Sequence, residues 1–132
     1  MNSKKLYIAA LIVYLAAVAF LCFSRPENLP EMDVKTFLGI PIDKVLHFIM
    51  FLPYPILAGL SFIGKQTRLP VSLLILALAI ITGAGISYGT EAIQAQTGYR
   101  AYEISDFYAD MTGIATGTLI SVIYLIKTRL SK

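Results

Sequence analysis

The stretch Val71-Ser-Leu-Leu-Ile-Leu-Ala-Leu-Ala-Ile-Ile-Thr-Gly-Ala-Gly-Ile-Ser-Tyr88-Gly-Thr-Glu91-Ala-Ile-Gln94-Ala-Gln-Thr97 decides the fold class. No charged residue occurs between Val71 and Tyr88, which is enough helix to cross the hydrocarbon core of a bilayer. Pro70 stands where a first-turn proline is favoured, and Gly98 stands where a helix is capped. The predicted span, about 71–90, therefore continues as helix to Thr97 and ends on polar side chains. Three similar runs surround it, at about 6–23, 45–63 and 107–126. Pro53 and Pro55 are expected to kink the second. Ser105 is a plausible N-cap for the last helix. Of the 132 residues, 57% are hydrophobic and 14% charged, against roughly 25% charged in a soluble domain. Disorder, collagen and a disulfide scaffold are excluded, and a free-standing soluble globule is disfavoured. The reading is an all-α protein: one four-helix transmembrane domain over 1–132. A cleaved signal peptide, with Ala17-Val18-Ala19 as its site, is the rival reading of the first run.

The charges orient the predicted bundle. With both termini cytoplasmic, Lys4, Lys5, Lys65, Arg68, Lys127, Arg129 and Lys132 lie inside, seven of the eleven Lys and Arg. Arg25, Lys35, Lys44 and Arg100 lie outside, and so do all eight acids. A net charge of +3 raises the question of nucleic acid, but this segregation disfavours it; the basic inner face suits anionic lipid headgroups. The single cysteine, Cys22, precludes an internal disulfide and reads as a lipid-facing apolar residue. A lipoprotein acceptor would follow a small residue, and Leu21 precedes it. The outer loop 24–43 carries Met32, Phe37, Leu38 and Ile42, which could form a short interfacial helix over a pocket.

Three of the four spans carry a polar stripe at the outer end. Asp43 and His47 are four apart on the second helix, with Lys44 beside them. Gly83, Ser87, Glu91 and Gln94 share a face of the third; Asp106, Asp110, Gly113 and Gly117 share a face of the fourth. Gly85–Gly89 and Gly113–Gly117 are small-xxx-small patterns, expected to bring the third and fourth helices close and Glu91 toward Asp106 and Asp110. Lys44, His47 and the loop residue Arg100 would supply countercharge. Each residue also has an ordinary role: Asp106 can serve the helix dipole, Lys44 can snorkel, and Tyr88, Tyr99, Tyr102 and Tyr108 can form an interfacial belt. Ionisable groups near hydrocarbon are costly, so their convergence at one membrane edge points to a shared pocket.

These fragments resemble the VanZ-like membrane protein family over about 43–120. The resemblance rests on Asp43-Lys44-Val-Leu-His47-Phe, Glu91-Ala-Ile-Gln94, Arg100 and Asp106-Phe-Tyr-Ala-Asp110-Met-Thr-Gly113, in that order. Asp110 stands where the family usually has Asn. The resemblance implies an integral protein of the bacterial cytoplasmic membrane and a link to glycopeptide resistance, particularly to teicoplanin-type compounds.

The expected function is an outward-facing polar pocket that binds or processes an envelope component, either a lipid-linked wall intermediate or a lipid headgroup. His47, Glu91 and Asp106 are the candidate acid–base residues. Asp43, Lys44, Gln94, Arg100 and Asp110 are the candidate binding residues, with Lys44 and Arg100 gripping phosphate or carboxylate. No cofactor is assigned. A divalent-metal site of His47, Glu91, Asp106 and Asp110 is conceivable with a single His, but no metal ligand is assigned. The alternative is a non-enzymatic binding or accessory protein whose polar cluster is a structural ion-pair network. A transporter or flippase is poorly supported, because the inner halves of the helices are apolar or small.

Overall fold

The computed structural model describes residues 2–25, 27, 33–98 and 101–131. The described chain runs α1 (Ser3–Phe23), β1 (Thr36–Phe37), β2 (Ile40–Pro41), α2 (Ile42–Phe51), α3 (Pro53–Phe62), α4 (Leu69–Thr97) and α5 (Ile104–Leu130). Four segments are long and apolar enough to cross a membrane: α1, the α2–α3 pair, α4 and α5. The protein is an all-α, multi-pass membrane protein apart from one small hairpin.

The local sequence explains most boundaries. The Asn2 side chain accepts from the Lys4 N–H and starts α1. The second span breaks at Leu52 without leaving helical geometry (φ −57°, ψ −42°), and Pro53 restarts it as a first-turn residue. Pro53 and Pro55 have no N–H for the carbonyls of Ile49 and Phe51. The Tyr14 hydroxyl donates to the Met50 carbonyl between them, at 2.5 Å. Helix α4, with 29 residues, is about 43 Å long at 1.5 Å per residue. That exceeds a hydrocarbon core of about 30 Å, so its last turns reach the headgroup layer. Gly98 ends it in the left-handed region, φ +74°.

Helix α3 packs against α1, α4 and α5, and α5 also lies along α2 and α4. The tightest approach is between α5 and the second span. A Cβ added at Gly113 would overlap the Phe48 carbonyl oxygen, and one at Gly117 the Leu52 carbonyl oxygen. Gly83 admits the Ile114 side chain and the Tyr54 ring, at 2.9 and 3.0 Å from its Cβ position. Two apolar clusters fill the interior: Leu11, Tyr54, Ala58 and Ala79; and Val18, Cys22, Phe51 and Ile114.

Side-chain contacts fix the two ends. Lys4 lies beside Gly64, and Arg129 donates to the Thr67 carbonyl and, at 3.0 Å, to Ser72 Oγ. The start of α1, the α3–α4 turn and the end of α5 therefore share the basic end. The start of α2, the end of α4 and the start of α5 share the acidic end.

Five sequence expectations change. Cys22 is buried against Val18, Phe51 and Ile114 instead of facing lipid. Gly85 and Gly89 have open space at their Cβ positions, so this pair mediates no close crossing. Gly113 and Gly117 bring α5 to the second span, not to α4. Ser105 does not cap α5: the N-cap is Glu103, with no side-chain cap bond, and the helix begins at Ile104. Finally, Thr36–Pro41 is an antiparallel hairpin, not an interfacial helix. Leu38 (φ +51°) and Gly39 (φ +79°) turn it, as a two-residue hairpin loop with positive φ requires. Its Phe37, Leu38 and Ile40 are exposed. Met32 lies outside the described residues.

Candidate functional site

The site is built where three helix ends meet. Helix α2 supplies Asp43, Lys44 and His47 from its first two turns. Helix α4 supplies Ser87, Glu91 and Gln94 from its long polar end. Helix α5 supplies Asp106 and Asp110, one turn apart on the face that Gly113 and Gly117 press against the second span. The close backbone approach at those glycines brings the two carboxylates to His47.

His47 is the centre. Its Nδ1 lies 2.8 Å from Asp110 Oδ1, and its Nε2 lies 3.5 Å from Asp106 Oδ2. Asp110 is fully buried, and its other oxygen accepts from Ser87 Oγ at 2.6 Å. A buried carboxylate held at both oxygens fixes the imidazole ring's orientation. An uncompensated charge at this depth would cost several kcal/mol, roughly, so the pairing is a condition of the fold. Glu91 is also buried, 2% exposed. Its carboxylate, that of Asp106 and a His47 ring nitrogen offer donor atoms lying within 4.8 Å of one another.

Closer to the surface, the Lys44 ammonium gathers three carboxylates. It donates to Asp43 at 2.8 Å, to Glu103 at 2.6 Å and to Asp106. The exposed Glu103 carboxyl, outside the spans, is held below the ordinary carboxylate range by its hydrogen bond to Lys44. Gln94 is buried and donates through Nε2 to the Cys22 carbonyl at 2.6 Å, tying the end of α1 to the site.

The structure thus brings together Asp43, Lys44, His47, Glu91, Asp106 and Asp110. Gln94 stands at the edge with a structural partner. Arg100 and Tyr99 lie outside the described residues. Sequence reasoning gave no role to Glu103, Tyr14 or Ser87. Ser87 was visible as part of the α4 stripe, four residues before Glu91. Glu103 and Tyr14 carry no local signal; only the packing of helix ends reveals their partners.

Two chemistries fit the arrangement. His47, with Nδ1 held by Asp110 and Nε2 turned toward Asp106, is built like an oriented acid–base residue. The same orientation suits a metal ligand, since a carboxylate on the far nitrogen commonly positions a coordinating His. His47, Glu91 and Asp106 are the residues that could hold a divalent cation. Asp43, Glu103 and Asp106 form a second donor group, but all three already share the Lys44 ammonium.

A groove of about 380 Å³ opens beside His47, between α1 and the second span. Val18, Leu21, Leu46 and Met50 give it an apolar wall, while His47, Asp43 and Gln94 supply polar groups. Leu21 and Leu46 are exposed, so the groove communicates with the lipid-facing surface.

A family model described as VanZ/LLP1 matches residues 8–126, wider than the stretch whose motifs suggested the resemblance. No curated protein and no solved structure matches the chain.

Proposed function

The chain belongs to the VanZ/LLP1 family, and on that premise we propose that its acidic end is an outward-facing pocket for the polar head of an amphiphilic envelope component. The class is a lipid-linked wall intermediate or a phospholipid, in the bacterial cytoplasmic membrane. One observation carries the reading: His47 belongs both to the buried Asp110–Ser87 network and to the wall of an apolar groove. An acyl chain in that groove would bring its headgroup to His47. Lys44, by giving up the exposed Glu103 carboxylate, would hold phosphate or carboxylate, with Arg100 as a second cation. His47 would transfer protons at the headgroup, oriented by Asp110, with Glu91 and Asp106 setting the local charge. A link to teicoplanin-type resistance would follow from altered envelope composition.

The test uses a host whose teicoplanin susceptibility or lipid profile changes when the protein is expressed. His47→Ala and Glu91→Ala should abolish that change even after correction for the folded protein that remains in the membrane. Full activity in both variants would reject the proposal. A second reading has its own support, because Asp43, Asp106 and Asp110 all have internal partners: the cluster is a structural network in a binding or accessory protein. In that case Asp106→Glu would be mild, and Glu91→Ala would lower abundance and activity together.

A further inference from the structure

A groove larger than the one beside His47 stands at the opposite end of the molecule. Helix α1 packs on α3 and α4, whereas α5 packs on α2, α3 and α4. At this end α3 lies between α1 and α5 and forms the floor of this groove, which all three helices line. Its volume is about 1140 Å³, above the roughly 300–1,000 Å³ of sites for drug-sized molecules. The floor and walls are apolar, with Ile56 and Leu60 from α3, Tyr7 from α1 and Ile120 from α5. The rim is cationic, with Lys4, Lys65, Lys127 and Arg129. No acidic residue lines it among the described residues. Arg129 is not loosely placed, because its guanidinium is tied to the Thr67 carbonyl and to Ser72.

We propose that this groove is a binding site for an anionic phospholipid, with acyl chain against α3 and headgroup phosphate among Lys4, Lys127 and Arg129. The occupant follows from two properties that coincide in one place. An apolar trough in a membrane-spanning surface takes a hydrocarbon chain. A cationic rim that no acidic side chain lines among the described residues takes a negative headgroup. A zwitterionic lipid satisfies the first property and gains little from the second. The positive-inside rule assigns this end to the cytoplasmic leaflet, whose surface is anionic. The site shares no residue with the acidic end, so it stands whether or not that end performs chemistry.

The test is native mass spectrometry of protein purified in mild detergent with phosphatidylglycerol and phosphatidylcholine at equal mole fraction. Wild type should retain phosphatidylglycerol preferentially. Each lysine near an anionic headgroup contributes a factor of about five, so Lys4→Gln with Lys127→Gln should reduce the preference about twenty-five-fold. Leu60→Trp, which fills the floor, should reduce retention of either lipid. Lys35→Gln, at the acidic end, should change nothing. Equal retention of the two lipids by wild type would overturn the proposal, as would an equal loss in Lys35→Gln. If Leu60→Trp does not fold, the double lysine variant decides alone, provided its lipid-free thermal midpoint matches wild type.

Discussion

At one end of the bundle Asp110, Glu91 and His47 are buried and Lys44 gathers three carboxylates; at the other, Lys4, Lys65 and Lys127 are exposed along an apolar groove. The difference follows from side-chain length and from helix packing. A lysine can lay its methylenes along apolar surface and keep its ammonium in water, so Lys4 and Lys127 can stay charged without being buried. A carboxylate on one or two methylenes cannot reach water from inside the bundle. It must be bonded where it stands, and the acidic end is organised for that. Charge at Lys4 and Lys127 is therefore tunable at little cost to the fold, whereas charge at the acidic end is part of the fold.

The sharpest way to break this contrast is to remove one member of the buried network. Asp110→Ala strands His47 and Ser87 and should cost about 3–5 kcal/mol, read as a collapse of folded abundance or of thermal midpoint in detergent. Asp110→Asn keeps an acceptor for His47 or Ser87 and should cost clearly less. Lys127→Ala at the basic end should stay within about 0.5 kcal/mol of wild type. Equal losses in Asp110→Ala and Lys127→Ala would abolish the distinction.

Next in size is the approach that builds the acidic end. Gly113→Ala places a methyl group against the Phe48 carbonyl and should destabilise by about 1–3 kcal/mol. Gly85→Ala meets open space in a helix and should be neutral or stabilising by up to about 1 kcal/mol. A reversed order in a thermal-shift series would show that α5 does not meet the second span at Gly113.

The smallest effect is a pH dependence. The folded-state carboxyl of Glu103 lies below the ordinary range because Lys44 donates to it. Its contribution is present above the unfolded pKa and is lost as pH falls through the lowered folded value. Thermal midpoints measured on descending pH should fall slightly more for wild type than for Glu103→Gln. Parallel curves would mean the Lys44–Glu103 contact contributes nothing.

Much of this was legible in the sequence because a membrane imposes long apolar runs. Val71–Tyr88 could hardly be anything but a span, and the stripes containing His47, Glu91, Asp106 and Asp110 follow from helical periodicity. Partnering was less legible. Gly113-Ile-Ala-Thr-Gly117 announces a close crossing, but nothing local says which helix it meets. Gly85 and Gly89 carry the same pattern and meet nothing. Cys22 reads as lipid-facing because one apolar residue on a uniformly apolar helix has no periodic mark of its buried side. The Leu38–Gly39 hairpin was hidden because Leu38 gives no sign of a positive φ.

The central claim is that a lipid-facing groove delivers an amphiphile's headgroup to His47. It is tested most directly by photo-crosslinking in native membranes, with a photoreactive residue at Leu21 in the groove and at Leu74, exposed on α4, as the control. The account predicts a discrete adduct with a phosphate-bearing lipid at position 21, absent at 74 and lost with Lys44→Ala or His47→Ala after normalisation to folded protein. The same lipid distribution at both positions, indifferent to those substitutions, would contradict it.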